Sequence, residues 1–115
     1  MANTPKLQVP KRWQRSRRHG MKQPTSCRYV GRPTMYANKN HMVAGEERTF
    51  GEHKRVTKEY ELDMKIILSL CPEYFDDLLH YEWISCFCPL DMPCHCDPII
   101  EHLSRRIKEL EGEKS

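Results

Sequence analysis

The carboxyl-terminal segment of the chain has an apolar face that repeats every three or four residues. Aspartate is favoured just before a helix and proline at its first position, and Asp97-Pro98 supplies both. Charged side chains occupy most of the other positions, as in an amphipathic helix. We therefore predict a helix from Asp97 to about Gly112, with an apolar face made of Ile99, Ile100, Leu103, Ile107 and Leu110.

Two earlier segments are also predicted to be helical. Segment 72–86 starts with Pro72 and has acidic residues near its positive end, and both features favour a helix start. Segment 57–70 fits strand alternation as well as helical spacing, but its residue types favour a helix. The predicted apolar face of 72–86 comprises Phe75, Leu78, Leu79, Trp83 and Cys86.

These patterns predict a mainly α fold with three regions. Residues 1–45 contain recurring prolines and no hydrophobic period, so we expect a disordered basic tail. Residues 46–56 are polar and are predicted to be a linker. Residues 57–112 are then a small helical domain rich in Cys and His, built as helix, Cys-rich loop and helix.

Charge divides the chain in the same way. Residues 1–45 hold ten basic side chains and no acidic one, whereas the remaining residues hold nine basic and 16 acidic side chains. Basic side chains can neutralise phosphates, so the tail predicts nuclear import or nucleic-acid binding. A solvated tail without a specific partner is the alternative. The candidate residues are Lys11, Arg12, Arg15, Arg17 and Arg18.

The sequence also bears on the compartment. It contains no apolar run of the ~20 residues that span a bilayer, and no apolar stretch follows its basic start. We therefore expect a protein that is not secreted and does not contact a membrane. Six cysteines in such a chain indicate a metal site or reactive thiols rather than disulfides.

Four of those cysteines lie in the stretch CFCPLDMPCHCDP, residues 86–98. Zinc is held by about four Cys or His ligands in a tetrahedron, and a metal would tie together two short helices that bury little apolar surface. The two Cys-x-Cys pairs differ from the commoner Cys-x2-Cys spacing. The predicted zinc ligands are drawn from Cys86, Cys88, Cys94, Cys96 and His102.

A catalytic thiol is the alternative chemistry for this loop. Cys94 and Cys96 stand at the start of the last predicted helix, where the helix dipole would favour a thiolate. Cysteine phosphatases use Cys-x5-Arg, in which the arginine holds the phosphate as a bidentate donor. The sixth residue after Cys94 is Ile100, and the sixth after Cys96 is His102, so this arginine is missing.

The same residues resemble a viral protein family. The second-open-reading-frame protein of anelloviruses (torque teno viruses) and the gyrovirus dual-specificity phosphatase protein carry W-x7-H-x3-C-x-C-x5-H. Here Trp83 is followed by seven residues, Asp91, two residues, Cys94-His95-Cys96, five residues and His102. Asp91 thus replaces the first motif histidine, and the next spacer is one residue short.

The resemblance implies a small viral non-structural regulatory protein in the cytoplasm or nucleus of a host cell. Gyrovirus members are described as protein phosphatases, with the motif cysteines as candidate nucleophiles. Some anellovirus members are described as dampening NF-κB signalling. We therefore expect a host-interaction module that zinc stabilises and that binds host proteins. A cysteine-dependent phosphatase and a nucleic-acid-binding protein are the alternatives.

Overall fold

The computed structural model describes residues 7–16 and 22–112. Arg17 and Arg18, two of the predicted nucleic-acid or import residues, lie outside the described residues. The strands and α-helices are, in chain order, β1 Lys11–Gln14, β2 Cys27–Tyr29, α1 Phe50–Leu70, β3 Trp83–Cys86 and α2 Cys96–Gly112. A short 3₁₀ helix, Asp76–His80, lies between α1 and β3.

The three strands form one parallel sheet in the order β1-β3-β2. Lys11 of β1 and Cys27 of β2 both pair with Trp83, at the start of the central strand. Ile84 and Ser85 of β3 are fully buried and Cys86 nearly so. A short parallel sheet needs cover on both faces, and this is why the strand that lies at its centre is almost wholly enclosed.

The predicted mainly α fold class is wrong, and the segment 72–86 shows why. Leu78 and Leu79 are buried, but they belong to a short 3₁₀ helix. The chain then extends into β3 instead of continuing as an α-helix. Strand β3 pairs with two segments that lie far away in sequence. Local periodicity carries no information about such pairing, so it favoured a helix that does not form.

The prediction of a disordered basic tail is also wrong, because β1 and β2 both come from residues 1–45. Val30 and Tyr36 of the same region are buried in the core. The Lys11 ammonium lies 5.6 Å from the ring centroid of Trp83, and the Arg15 guanidinium lies 4.8 Å from that of Tyr29. These basic side chains therefore have partners within the protein.

The predicted helices at 57–70 and after Asp97 are present, with different starts. Helix α1 begins at Phe50, inside the segment predicted as a linker, and Thr49 caps it by accepting a hydrogen bond from the Glu52 amide. Helix α2 begins at Cys96, one residue before the predicted cap. Within residues 7–16 and 22–112, neither helix is long and apolar enough to cross a membrane.

The core gathers side chains from every part of the described chain. The Tyr60 hydroxyl donates to the Tyr36 carbonyl oxygen at 2.7 Å, which fixes the loop after β2 to α1. The Arg106 guanidinium pairs with Asp76 and fixes α2 to the 3₁₀ helix. The largest of the fully buried side chains are Phe75, Leu78, Leu79, Ile84, Ile99 and Leu103.

Candidate metal centre

The end of β3 and the start of α2 bring three thiols together. Cys86 is the last residue of β3, Cys96 is the first of α2, and Cys94 closes the loop between them. Their sulfur atoms all lie within 4.8 Å of one another, and all three side chains are buried. The group satisfies the first requirement of a metal site, which is a set of ligand atoms that converge on one point.

Cys88 lies beside these three thiols but is not one of the residues whose ligand atoms all lie within 4.8 Å of one another. Strand β3 ends at Cys86, and Cys88 follows two residues later in a bend. The Cys88 side chain is half-buried, and hydrogen bonding with the thiols of Cys86 and Cys94 raises its pKa. We call Cys86, Cys88, Cys94 and Cys96 the cysteine cluster.

The separation of the sulfur atoms shows whether the cysteine cluster could hold a metal ion. Tetrahedral zinc with bonds of about 2.3 Å separates its sulfur ligands by about 3.8 Å. The sulfurs of Cys86 and Cys94 are 2.8 Å apart, too far for a disulfide of about 2.05 Å and somewhat closer than zinc ligands. A bound ion would have to move these two sulfurs apart, and the three convergent thiols could hold a metal ion.

The thiols of the cysteine cluster differ in the direction in which their pKa values are shifted. Hydrogen bonds from the thiols of Cys88, Cys94 and Cys96 hold the pKa of Cys86 well below its usual range. The bonds to Cys86 raise the pKa of Cys88, Cys94 and Cys96, and burial raises them further. The cluster by itself therefore favours a single thiolate. A divalent cation would supply the charge that lets the other thiols ionise.

Arg12 connects β1 to the cysteine cluster. Its side chain is only 10% exposed, and its Nη1 donates to the Asp97 carboxylate at 3.3 Å. Its Nη2 donates to the carbonyl oxygens of Cys88 and Pro89. The same Asp97 carboxylate accepts the Cys94 amide at 3.0 Å. A tetrathiolate zinc site carries net negative charge, and this guanidinium lies where it can offset that charge.

His95 is a buried neighbour of the cluster that sequence reasoning did not select as a ligand. Its Nε2 lies 2.8 Å from the Val30 carbonyl oxygen. A carbonyl only accepts, so Nε2 carries the proton and Nδ1 has a free lone pair. That Nδ1 lies 3.5 Å from the Cys94 sulfur. Its position inside Cys-x-Cys was a signal, but its contact with Val30 was not readable from the sequence.

The remaining predicted site residues lie apart from the cluster. His102 is on α2 with its ring centroid 5.8 Å from that of Phe75, and it is not one of the three convergent ligands. Burial lowers the pKa of His102, and its Nε2 has no partner among the described residues. Asp91 is exposed in the loop before α2, and Trp83 is half-buried on β3. The structure thus brings together three of the four cysteines predicted as zinc ligands, Cys86, Cys94 and Cys96, and leaves His102 out.

Comparison with known proteins gives one family match. A family model described as a domain of unknown function, DUF4326, matches residues 13–105. No curated protein and no solved structure matches the chain. The match does not bear on the resemblance to the anellovirus and gyrovirus proteins, which stays a prediction. It covers the end of β1, all of β2, α1 and β3, and the cysteine cluster, and we conclude that the chain belongs to the DUF4326 family.

Proposed function

We propose that the protein is a zinc-binding module in which the cysteine cluster holds one structural zinc ion. The observation that carries this proposal is the convergence of three buried sulfurs within 4.8 Å, and the half-buried Cys88 is the fourth ligand in the proposal. Soft thiolates in a tetrahedral set of four select zinc over harder cations. The role in host interaction remains a prediction from the viral resemblance.

A structural role fits the burial of the site better than a catalytic one. Catalytic zinc sites keep one position open for water or substrate, whereas sites with four protein ligands are closed. Cys94 is 2% exposed and Cys96 is fully buried. A nucleophile must reach its substrate as a thiolate, yet burial and the bonds to Cys86 raise the pKa of both thiols. These observations do not favour the phosphatase alternative.

The ion would hold β3 to α2 at the point where the sheet meets the helix. Cys86 ends the central strand and Cys96 starts the helix. A fold of this size buries little apolar surface, and small domains commonly rely on a metal or a disulfide for stability. Zinc would therefore contribute directly to the folded state.

The proposal is tested by metal content and by cobalt substitution. Protein purified without chelator should contain one zinc per chain, and its cobalt form should show the absorption bands of a tetrahedral site with four thiolates. Cys88→Ser should weaken metal binding, because it removes the fourth sulfur. Cys71→Ser is the matched control, since Cys71 is half-buried outside the cluster and should bind metal normally.

Two results would contradict the proposal. One is metal-free protein that keeps its full helicity. The other is a protein mass and thiol count that report disulfides among the cluster cysteines in fresh, folded protein. A normal metal content in His102→Ala is expected, because His102 lies outside the convergent group. Loss of metal from that variant would assign His102 the role that we give to Cys88.

A further inference from the structure

The four thiols of the cysteine cluster differ in their access to solvent. Cys86 and Cys94 are 2% exposed and Cys96 is fully buried, whereas Cys88 is half-buried. Cys88 also lines two surface cavities, of about 430 and 540 Å³, and Cys96 lines neither of them. A small molecule that arrives from solvent therefore meets Cys88 before the other three cysteines.

Cys94 is the thiol best placed to react with Cys88. The Cys88 thiol hydrogen-bonds with the thiols of Cys86 and Cys94, so both sulfurs are within its reach. A disulfide between Cys86 and Cys88 would close a ring across a single residue, which strains the normal disulfide geometry. Cys94 lies farther along the chain, at the end of a loop without helix or strand. A bond from Cys88 to Cys94 needs only that the two sulfurs approach to about 2.05 Å.

We propose that the cysteine cluster is a peroxide-sensitive switch in which Cys88 reacts first, Cys94 forms a disulfide with it, and the zinc ion is released. This inference rests on the proposed function, because a bound ion is what keeps all four sulfurs as thiolates. Accessible thiolates that lie beside a second thiol are the usual sites of reversible oxidation. Cys88 combines both properties within the cluster, since it is the least buried member and contacts Cys94.

The oxidant is a hydroperoxide, and the two sulfurs supply the two electrons that reduce it. The Cys88 thiolate attacks one oxygen of hydrogen peroxide, the O–O bond breaks, and a sulfenic acid forms as hydroxide leaves. The Cys94 thiolate then attacks the Cys88 sulfur, the S–O bond breaks, and the disulfide forms as a second hydroxide leaves. Each hydroxide takes a proton from solvent and becomes water.

The disulfide removes two ligands from the ion and does not replace the link that the ion makes. Cys86 and Cys96 remain as thiolates, but a closed zinc site needs four ligands. The new bond joins two residues of the loop, whereas the ion connects the end of β3 to the start of α2 through Cys86 and Cys96. Oxidation should therefore release the metal and loosen the contact between the sheet and α2.

Titration of the full chain with hydrogen peroxide, after purification without chelator, tests the proposal. The zinc content is measured first, and a chromogenic zinc indicator then follows release. Zinc should be released in proportion to the disulfide formed, and alkylation of the remaining thiols followed by peptide mapping should place that disulfide between Cys88 and Cys94. Dithiothreitol with added zinc should restore the metal content.

The outcomes separate this inference from the proposed function. Protein that contains no zinc before oxidation would contradict both. Protein that holds zinc and retains it while its thiols are oxidised would overturn the switch alone. A first disulfide that does not include Cys88 would also overturn it, because the reacting thiol would then be a buried one.

Cys88→His tests the role of the accessible thiol. Imidazole can bind zinc but cannot form a disulfide, so the rate of peroxide-driven release per bound ion should fall by about tenfold or more. An unchanged rate would refute the assignment of Cys88. Cys71→Ser is the matched control, since Cys71 is half-buried outside the cluster and its loss should leave the rate unchanged. If Cys88→His holds too little zinc to measure, the disulfide map of the unmodified protein supports or refutes the assignment.

Discussion

Removing the metal should unfold the protein, and Cys96→Ser should have the same effect. Structural zinc contributes an apparent ~10–16 kcal/mol to small domains, whereas a typical domain has a free energy of unfolding of only ~5–15 kcal/mol. Cys96 is fully buried at the first residue of α2, so its loss would release the helix from the sheet. Far-ultraviolet circular dichroism during titration with a chelator measures the effect, and added zinc should restore the signal.

Cys71→Ser is again the control for this experiment, because it removes a half-buried thiol outside the cluster. Its helicity and its response to chelator should match those of the unmodified protein. A chelated protein whose cooperative thermal transition stays within a few degrees of the untreated one would show that the fold does not need the ion.

Phe75→Ala should reduce the free energy of unfolding of the zinc-loaded protein by about 3–5 kcal/mol, the usual cost of a phenylalanine cavity in a core. Phe75 is fully buried, and its ring centroid lies 4.9 Å from that of Tyr74 and 5.7 Å from that of Tyr36. Its ring centroid also lies 5.8 Å from that of His102 on α2, so Phe75 packs between the loop after β2 and α2. Urea unfolding followed by tyrosine and tryptophan fluorescence measures the change.

Leu70→Ala provides the comparison, because Leu70 is an apolar residue that is 82% exposed. Its removal should change the free energy of unfolding by about 0.5 kcal/mol or less, as is typical of surface positions. Equal effects of the two substitutions would mean that Phe75 is not part of the cooperative core.

Helix α2 could be predicted because its signals are local. An amphipathic stripe and the Asp97-Pro98 start both act over a few residues, and Ile99 and Leu103 are indeed fully buried. Strand β3 could not be predicted, because it is only four residues long and forms by pairing with β1 and β2, which lie far away in sequence. The two edge strands could not be predicted for the same reason, because they also form by pairing with a distant segment. Their basic residues instead indicated a solvated tail.

The cysteine cluster could be predicted from its density, but the exclusion of His102 from it could not. His102 lies six residues after Cys96 on α2, and six residues rotate a helix by about 240°, so the two side chains point in different directions. Arg12 joins the site through a contact that spans most of the chain. Its role could not be read from the basic pattern that surrounds it.

The position of β3 also determines the order in which the chain can fold during synthesis. Both edge strands are made before the central strand, so β1 and β2 leave the ribosome without the backbone partner that they will share. The two edge strands cannot pair with β3 until α1, which precedes β3, has been synthesised. Strand pairing between segments so far apart in sequence is intrinsically slow. The cysteine cluster begins at the last residue of β3 and ends at the first residue of α2. Closure of the sheet and capture of a metal ion would therefore be nearly simultaneous, and both would follow the synthesis of α1.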